Sequence, residues 1–205
     1  MDIKLTATSP IEAKVGLVAL PLFEDDIGRK GKHPLFDAAD AALDGHLRAG
    51  CKAERFEGKA NQKLVMPTLG KLPAGYILLL GMGKRSAYTN EAFRMAAGTA
   101  AKEARRVQSA KIALALPEEV DAPEAVRAGA EGLRLGSYRY DKWKTADEKE
   151  KGFRITQASL HAESLRRNAQ AQKALTLANS IAEAVALARD LVNESPHVMT
   201  PTALA

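Results

Sequence analysis

Hydrophobic and polar residues follow two different periods along this chain of 205 residues. Six short stretches are apolar throughout or apolar at every second position, which is the pattern of β-strands. They are residues 3–8, 15–20, 63–66, 76–80, 111–116 and 153–160. Residues 15–20 are apolar almost throughout, which predicts a central strand covered on both faces.

Four longer segments carry apolar residues at steps of three and four, which is the spacing of one helical face. They are residues 35–47, 89–107, 121–135 and a long segment from residue 165 to about residue 194. Thr89 and Asp121 are predicted N-caps, with Glu124 at capping-box spacing from Asp121, and Gly50 is predicted to end the first helix. The first two helices are predicted to bury Phe36, Ala39, Leu43 and Leu47, and Phe93, Ala97, Ala100, Ala104 and Val107.

Strands and helices alternate along the chain, and several strands are continuously apolar. This alternation predicts a three-layer α/β/α domain around a parallel or mixed central sheet. Residues 28–34 are broken by glycine and residues 141–152 are rich in charged side chains, so both are predicted to be loops.

The last stretch of the chain predicts a helix that stops abruptly. Its residues Ala174, Leu177, Ile181, Ala184, Ala188 and Leu191 share one face. Pro196 disfavours helical backbone at Ser195, so the helix is predicted to end near Asn193 or Glu194. If no further domain covers that face, we expect the helix either to fold back onto its own sheet or to self-associate.

Beyond this helix, Thr200 and Pro201 have the order of an N-cap and a first helical residue, so the sequence predicts the start of a further unit. The expected organisation is a domain at 1–165, a long linker helix at 166–194 and the beginning of another domain at 195–205.

Composition and charge narrow the class of protein. The chain is 46% hydrophobic and 27% charged, which is typical of a globular domain with one sizeable core. A single cysteine, Cys51, excludes an intrachain disulfide. No signal peptide precedes the first strand and no apolar run approaches the roughly 20 residues of a membrane span, so we expect a cytoplasmic protein. The net charge of +5 permits an anionic partner without requiring one.

Gly81-Met82-Gly83-Lys84 is the candidate for ligand binding, since it follows a predicted strand and precedes a helix. Gly81, Gly83 and Lys84 could present backbone N–H groups and a cation to a phosphate. A tight turn at the end of a strand explains the same glycines, and the full phosphate-loop spacing is missing.

Other candidate chemistry is sparse. None of the four histidines has a second histidine or Cys51 at metal-ligand spacing, so no metal site is predicted. Asp37, Asp40 and Asp44 share a helical side and are interpreted as a solvated face, and the acidic turn Glu24-Asp25-Asp26 is the other cation candidate. No nucleophile motif is present around Ser137 or Ser195, so no catalytic residue is predicted.

A DNA-binding role is an alternative function for the basic residues. The candidates are Arg94, Lys102, Arg105 and Arg106 on one helix, and Lys142, Trp143 and Lys144 in a loop. Such a stripe could contact phosphates and stack a base. Glu91 and Glu103 reduce the net positive charge of the helix and disfavour the DNA-binding hypothesis.

Several motifs resemble one known family. Ala188-Arg189-Asp190-Leu191-Val192-Asn193, with Pro196 and Met199-Thr200-Pro201 after it, closely resembles the interdomain junction of the leucyl aminopeptidases, the cytosol aminopeptidases of peptidase family M17. Glu131 to Lys144 is similar to the family stretch of the form E-G-x-x-L-x-x-Y-x-F/Y-D-x-Y/W-K. Further similar segments are Leu20-Pro21-Leu22-Phe23-Glu24, Leu80-Gly81-Met82-Gly83-Lys84, Arg94 and Ala96-Ala97-Gly98.

The resemblance implies a macro-domain-like fold and the N-terminal, non-catalytic domain of such an enzyme. In the family, the catalytic motifs and the two divalent metal ions, zinc or manganese, belong to the domain that follows, and none of those motifs occurs in this sequence. It also implies that the 174–191 helix packs on the catalytic domain and that the full protein is a homohexamer. A macro-type module for nucleotides or ADP-ribose, and a DNA-binding accessory domain, remain the alternatives.

Overall fold

The computed structural model of this chain describes residues 1–27, 32–118, 120–145, 153–195 and 197–200. Within them, six strands form one sheet in the order β1-β6-β5-β2-β4-β3. The strands are β1 (Asp2–Thr6), β2 (Leu17–Leu22), β3 (Lys63–Pro67), β4 (Tyr76–Gly81), β5 (Lys111–Ala115) and β6 (Gln157–His161). Only β3 runs antiparallel to its neighbour in this part of the chain, so the sheet is mixed, as the alternating pattern predicts.

The helices that the structure describes lie on both faces of the sheet. They are α1 (Glu24–Ile27), α2 (Pro34–Ala42), α3 (His46–Ala53), α4 (Asn90–Arg106), α5 (Ala122–Ser137) and α6 (Ala169–Asn193). One layer packs α4, α5 and the first half of α6 on one face of the sheet, and the other layer packs α2 and α3 on the opposite face. The three-layer α/β/α arrangement is therefore confirmed.

The central strands alternate between the two layers. Leu17 and Ala19 of β2 join the core beneath α4 and α5, whereas Val18 and Leu20 join the core beneath α2 and α3. Side chains of a strand point to opposite faces in turn, so a strand between two helical layers needs apolar residues at every position. This is why the apolar run correctly predicted a central strand.

The predicted helix caps are also present. The Thr89 side chain accepts a hydrogen bond from the N–H of Ala92, and Asp121 accepts one from the N–H of Glu124. These bonds satisfy N–H groups that have no partner inside the helix.

The first predicted helix is wrong in its extent, because it is two helices. Asp44 and Gly45 adopt left-handed backbone with φ of 54° and 79°, which ends α2 and lets α3 start at His46. Asp40 bridges the break by accepting a hydrogen bond from the N–H of Arg48 at 2.9 Å. Gly50 consequently lies inside α3 and does not end a helix.

Other boundaries shift by a few residues. The strand predicted at 153–160 is β6, which begins at Gln157, and the helix predicted from residue 165 begins at Ala169 with Asn168 as its N-cap. Val107 follows α4 and is only partly buried. Residues 28–31, 146–152 and 201–205, where predictions of loops and of a further helix fall, lie outside the described residues. Among the helices that the structure describes, none has the length and apolar character to cross a bilayer.

Candidate functional site

The predicted phosphate turn, residues 81–84, uses its amides inside the protein. The N–H groups of Gly81, Met82 and Gly83 donate to the carbonyl oxygens of Gln62, Leu22 and Gly58, each at 2.8 Å. Gly83 has a φ of +77°, which glycine adopts without steric cost. These amides are already bonded, so the structure supports the tight-turn interpretation and not a phosphate cradle.

The carboxyl end of the sheet is where open α/β sheets commonly bind ligands. Here the Arg85 guanidinium fills that position, 2.8 Å from the Asp26 carboxylate and 4.3 Å from the centre of the Phe23 ring. The segment 57–62 closes over the same end so tightly that a Cβ on Gly81 would lie 2.1 Å from the Lys59 carbonyl oxygen. A pocket of about 130 Å³ lies at this edge, with Gly81 and Met82 in its lining, and it is smaller than the roughly 300–1,000 Å³ of typical small-molecule sites, which disfavours the nucleotide-module alternative.

The two acidic groups named from the sequence are structural. Asp26 is buried and accepts from the N–H of Phe23 at 2.7 Å in addition to its contact with Arg85. Asp40 is only 8% exposed and bonds Arg48, so the interpretation of Asp37, Asp40 and Asp44 as a solvated face is wrong for Asp40. Among the described residues, no group of three or more histidine, cysteine or acidic side chains could hold a metal ion.

The candidate nucleophiles are placed without a matching base. The Ser137 hydroxyl donates to the Arg134 carbonyl at 2.9 Å, and the Ser195 hydroxyl accepts from the backbone N–H of His197. Burial raises the pKa of the Cys51 thiol to about 11, so that thiol is protonated and unreactive near neutral pH.

The basic residues proposed for DNA are largely compensated. Arg94 pairs with the buried Glu131 at 2.7 Å, and Arg106 pairs with the buried Glu103 at 2.6 Å. In the loop, Lys144 pairs with Asp141 at 2.9 Å. These ion pairs reduce the positive potential of the stripe and weaken the DNA alternative, although Lys102 and Arg105 have no carboxylate within ion-pair distance among the described residues.

The family-like stretch from Glu131 to Lys144 has a different role: it lies along α6 and holds that helix. The Arg134 guanidinium donates to the Asn179 side-chain oxygen at 2.7 Å. Directly after the end of α5, the Tyr138 hydroxyl donates to the Asp190 carboxylate at 2.7 Å.

Two further contacts lie at the end of α6. The Lys142 ammonium pairs with the Glu194 carboxylate, and the Trp143 indole N–H donates to the same carboxylate at 3.1 Å. The Arg189 guanidinium lies 5.3 Å from the centre of the Tyr138 ring, at a distance that permits a cation–π contact. We call the set Arg134, Tyr138, Lys142 and Trp143, with their partners Asn179, Asp190 and Glu194, the helix clasp.

The pKa shifts of the charged groups in and beside the helix clasp agree with these contacts. The hydrogen bond from Lys142 lowers the pKa of Glu194, and the same bond raises the pKa of Lys142. Beside them, the Lys144 ammonium lowers the pKa of Asp141 despite some opposing desolvation. Both carboxylates are therefore ionised at neutral pH, and the ionised Glu194 is the one that pairs with Lys142 in the helix clasp, whereas Asp141 pairs with Arg139 and Lys144 beside it.

Glycines bring α5 close enough to its neighbour to carry the clasp. A Cβ on Gly132 would lie 2.2 Å from the Arg94 carbonyl oxygen, and one on Gly136 would lie 2.6 Å from that of Gly98. Helix α5 is thus pressed against α4 on one side while its other side packs on α6. The G of the E-G-x-x-L motif is required by this close approach.

The predicted apolar face of α6 is only in part the one that packs on α5. The buried positions are Ala171, Leu175, Ala178 and Ala182, offset around the helix from the predicted set. Leu177 is 50% exposed and Leu191 is 36% exposed, and Ala184 and Ala188 are exposed as well. We call Leu177, Ile181, Ala184, Ala188 and Leu191 the outer stripe, an apolar surface that is exposed in the described residues except at Ile181, which is half-buried.

Sequence reasoning missed the clasp partners on α6. Asn179 and Glu194 lie outside the quoted motifs and resemble ordinary solvated positions of an amphipathic helix, and Asp190 belongs to the junction motif but had no predicted side-chain partner. The sequence did contain one indication of these partners. Residues 138–144 carry many aromatic and basic side chains directly after a predicted helix, and such a group of cations favours an acidic partner nearby.

Comparison with known proteins gives the family. The profile of the cytosol aminopeptidase family, N-terminal domain, matches residues 19–147. A probable cytosol aminopeptidase of Geobacter sp. (strain M21) is 38% identical over 205 residues, covering 100% of this chain and 40% of that protein. A mutant of tomato leucine aminopeptidase superposes with a TM-score of 0.86 and 28% identity over 100% of this chain and 40% of its own.

More distant structures share the fold alone. The bottromycin maturation enzyme BotP in complex with Mn gives a TM-score of 0.64 at 23% identity, over 92% of this chain and 34% of that one. An Oceanobacillus iheyensis macrodomain mutant gives 0.62 at 10% identity, over 86% of this chain and 88% of its own.

The fold and the helix clasp thus define a macro-like α/β domain that carries a long helix along its flank. The chain belongs to the cytosol aminopeptidase family, peptidase M17, and corresponds to the N-terminal domain of that family. It spans 40% of the length of the Geobacter relative.

Proposed function

We propose that this chain is the non-catalytic N-terminal domain of a metal-dependent leucyl aminopeptidase that releases N-terminal amino acids from peptides. The observation that carries the proposal is the helix clasp: it fixes the direction of α6 while the outer stripe stays uncovered. A helix held on one side and apolar on another is suited to hold a second domain in place.

The proposed organisation keeps residues 1–165 as the domain, 166–194 as the linker helix and 195–205 as the beginning of the catalytic region. Peptide hydrolysis of this class needs metal ions that polarise the carbonyl group and activate water. Such ions, zinc or manganese, would belong to the catalytic region, because the described residues contain no group that could hold them. That the structurally similar BotP was solved in complex with Mn is consistent with a divalent ion in the full protein.

The proposed partners are the catalytic region of the same polypeptide, through the 174–191 helix, and further copies in a homohexamer. A cytoplasmic location is part of the proposal and is supported by the description of the Geobacter relative as a probable cytosol aminopeptidase. Nucleotides and DNA are not included, since the amides of residues 81–83 donate to internal carbonyl groups and Arg94 and Arg106 pair with buried carboxylates.

A direct test is an aminopeptidase assay on this chain with leucyl p-nitroanilide and added zinc or manganese. We expect no hydrolysis above the metal blank, because none of the family's catalytic motifs occurs in the sequence and the described residues contain no group that could hold a metal ion. Turnover that follows the purified chain through gel filtration would contradict the proposal.

A chimera tests the assembly role. This chain replaces the matching N-terminal region of the Geobacter relative, and the product is measured for mass by light scattering and for leucyl anilide hydrolysis. We expect an active oligomer, and we expect Leu177→Lys with Leu191→Lys to lower both oligomer content and activity. The matched control is Gln172→Lys with Thr176→Lys on the exposed polar side of the same helix. Equal effects of the two double variants would refute a docking role for the outer stripe.

A further inference from the structure

A cavity on the opposite side of the sheet from α6 is not used by the proposed function. It has a volume of about 570 Å³ and lies between α2, α3 and the segment 55–62. This is within the roughly 300–1,000 Å³ of typical small-molecule pockets. Its apolar lining consists of Ile27, Phe36, Cys51 and Phe56.

Four cationic side chains line the same cavity. Arg48 and Lys52 stand one turn apart on α3, Arg55 follows the end of that helix, and Lys59 belongs to the segment that faces it. Glu57 is the acidic residue among the lining residues that the structure describes. Positive charge therefore predominates at the wall of the cavity.

The four cations differ in how far they are compensated. Arg48 pairs with Asp37 and Asp40 and lies 4.9 Å from the centre of the Phe36 ring, and Lys59 pairs with Glu57. In the described part of the chain, neither Lys52 nor Arg55 has a carboxylate within ion-pair distance. These two exposed side chains are thus the uncompensated charges at the cavity.

The backbone that carries Arg55 and Lys59 is held firmly. The Gln62 amide accepts from the N–H of Glu57 at 2.8 Å and from that of Lys59 at 3.1 Å, and donates to the Arg55 carbonyl at 3.2 Å. This arrangement fixes the segment opposite α3, so that the cationic side chains start from ordered positions.

Arg55 also occupies a position that usually suits glycine. Its φ is +52°, and the following N–H, that of Phe56, donates to the Cys51 carbonyl at 2.8 Å in a helix-ending turn. Glycine adopts left-handed backbone without steric cost, whereas arginine does not. This left-handed turn follows the end of α3 and carries the Arg55 side chain at the wall of the cavity.

We propose that this cavity binds a small multivalent anion of the pyrophosphate or polycarboxylate class, with Lys52 and Arg55 as its ionic contacts. Arginine and lysine bind such oxygens through charge-assisted hydrogen bonds. A nucleobase finds no stacking surface here, because Phe36 is 1% exposed and Arg48 already lies over its ring. The cations surround a pocket and do not form a track, which favours a small ligand over a nucleic acid.

The test is calorimetric titration of this chain with sodium pyrophosphate at low ionic strength. We expect saturable one-site binding that weakens at least tenfold in Lys52→Gln with Arg55→Gln. The control is Lys102→Gln with Arg105→Gln on α4, which removes the same net charge elsewhere and should leave affinity within about twofold. No saturable binding, or equal losses in the two double variants, would overturn the proposal.

A second variant separates binding from folding. Arg55→Gly removes the cation and relieves the left-handed backbone, so we expect the melting temperature to rise while pyrophosphate affinity falls. Unchanged affinity in a stabilised Arg55→Gly protein would also overturn the assignment. Tighter binding of a short DNA duplex than of pyrophosphate, lost in the same lysine and arginine variant, would replace the small anion by a nucleic acid.

Discussion

Gly132 illustrates how one residue decides whether two helices can pack. Its missing Cβ is the space that the Arg94 carbonyl oxygen occupies, at 2.2 Å from where that Cβ would lie. The clash is with backbone, so it cannot be relieved by a rotamer change, and α4 and α5 would have to separate.

We therefore expect Gly132→Ala to lower the free energy of unfolding by about 1–3 kcal/mol, the usual cost of overpacking. The matched control is Gly98→Ala in the facing helix, where the new Cβ would meet the Gly132 carbonyl oxygen at an ordinary 3.5 Å. That change should be neutral or stabilising, since alanine is the better helix former by up to about 1 kcal/mol. Urea denaturation compares the two, and equal destabilisation would argue against close packing as the cause.

His161 gives the protein a pH dependence. Its ring is buried, with Nδ1 at 3.0 Å from the Thr8 carbonyl oxygen and Nε2 at 2.7 Å from the Ser159 hydroxyl. Burial lowers the pKa of His161, because the charged imidazolium is less well solvated inside the protein. The folded state thus binds this proton less readily than the unfolded chain does.

The sign of the effect follows by linkage. The contribution of His161 to the free energy of unfolding is fully present above the ordinary histidine pKa of about 6.5. It is lost as the pH falls from there through the lowered pKa of the folded state. We expect His161→Gln to show a smaller fall in the denaturation midpoint than the unmodified chain between about pH 7.5 and about pH 5.5. His197→Gln, at an exposed position, is the control. Identical pH profiles for His161→Gln and the unmodified chain would exclude His161 as the source.

The second half of α6 depends on the helix clasp more than on a core. Ala182 is the last fully buried residue along the helix in the described part of the chain, and the helix continues to Asn193. Isolated helical turns are marginal in water, so this half needs the side-chain contacts from Tyr138, Lys142 and Trp143.

Tyr138→Phe removes one of those contacts, the hydrogen bond to Asp190, and leaves the ring in place. We expect faster hydrogen exchange at the amides of residues 186–193, with little change in those of residues 171–182 that pack on α5. Thr99→Val, which removes a hydroxyl bonded to the Met95 carbonyl on α4, is the comparison. If exchange in both halves of α6 is unchanged in Tyr138→Phe, the tyrosine does not hold the helix.

The split between α2 and α3 shows where periodicity misleads. The apolar spacing of Phe36, Ala39, Leu43 and Leu47 continues across the break, and all four residues are buried as predicted. Because both helices face the same core, the apolar pattern continues through the turn at Asp44 and Gly45 and does not indicate it. Asp40 also moved from a predicted solvated face to a buried one, because its carboxylate caps α3.

The outer stripe is an apolar surface exposed to solvent, and this affects the oligomeric state of the chain in solution. Covering a leucine side chain contributes about 1.5–3 kcal/mol, and Leu177 and Leu191 are both partly exposed. With no other domain present, the outer stripes of two molecules can cover each other.

We expect this chain on its own to self-associate as its concentration rises, as measured by analytical ultracentrifugation. Leu177→Lys with Leu191→Lys should weaken association at least tenfold, because about 1.4 kcal/mol corresponds to a factor of ten. Gln172→Lys with Thr176→Lys, at exposed positions of the same helix, should change it much less. If the chain is monomeric at every concentration, the prediction of self-association through the outer stripe is wrong.

The sequence by itself determined the layers of this protein, the order of its strands and helices along the chain, its helix caps and its family resemblance. These follow from short-range regularities, namely the periods of strands and helices, local capping chemistry and short family-like motifs, each of which is contained in a stretch of neighbouring residues. Three features came only from the tertiary structure. The first two are the side of α6 that is buried and the internal hydrogen bonds of the amides of residues 81–83. The third is that cations far apart in the sequence either form ion pairs with carboxylates or line one cavity. Those outcomes depend on which distant side chains meet in space, and such meetings are set by packing and not by the local pattern.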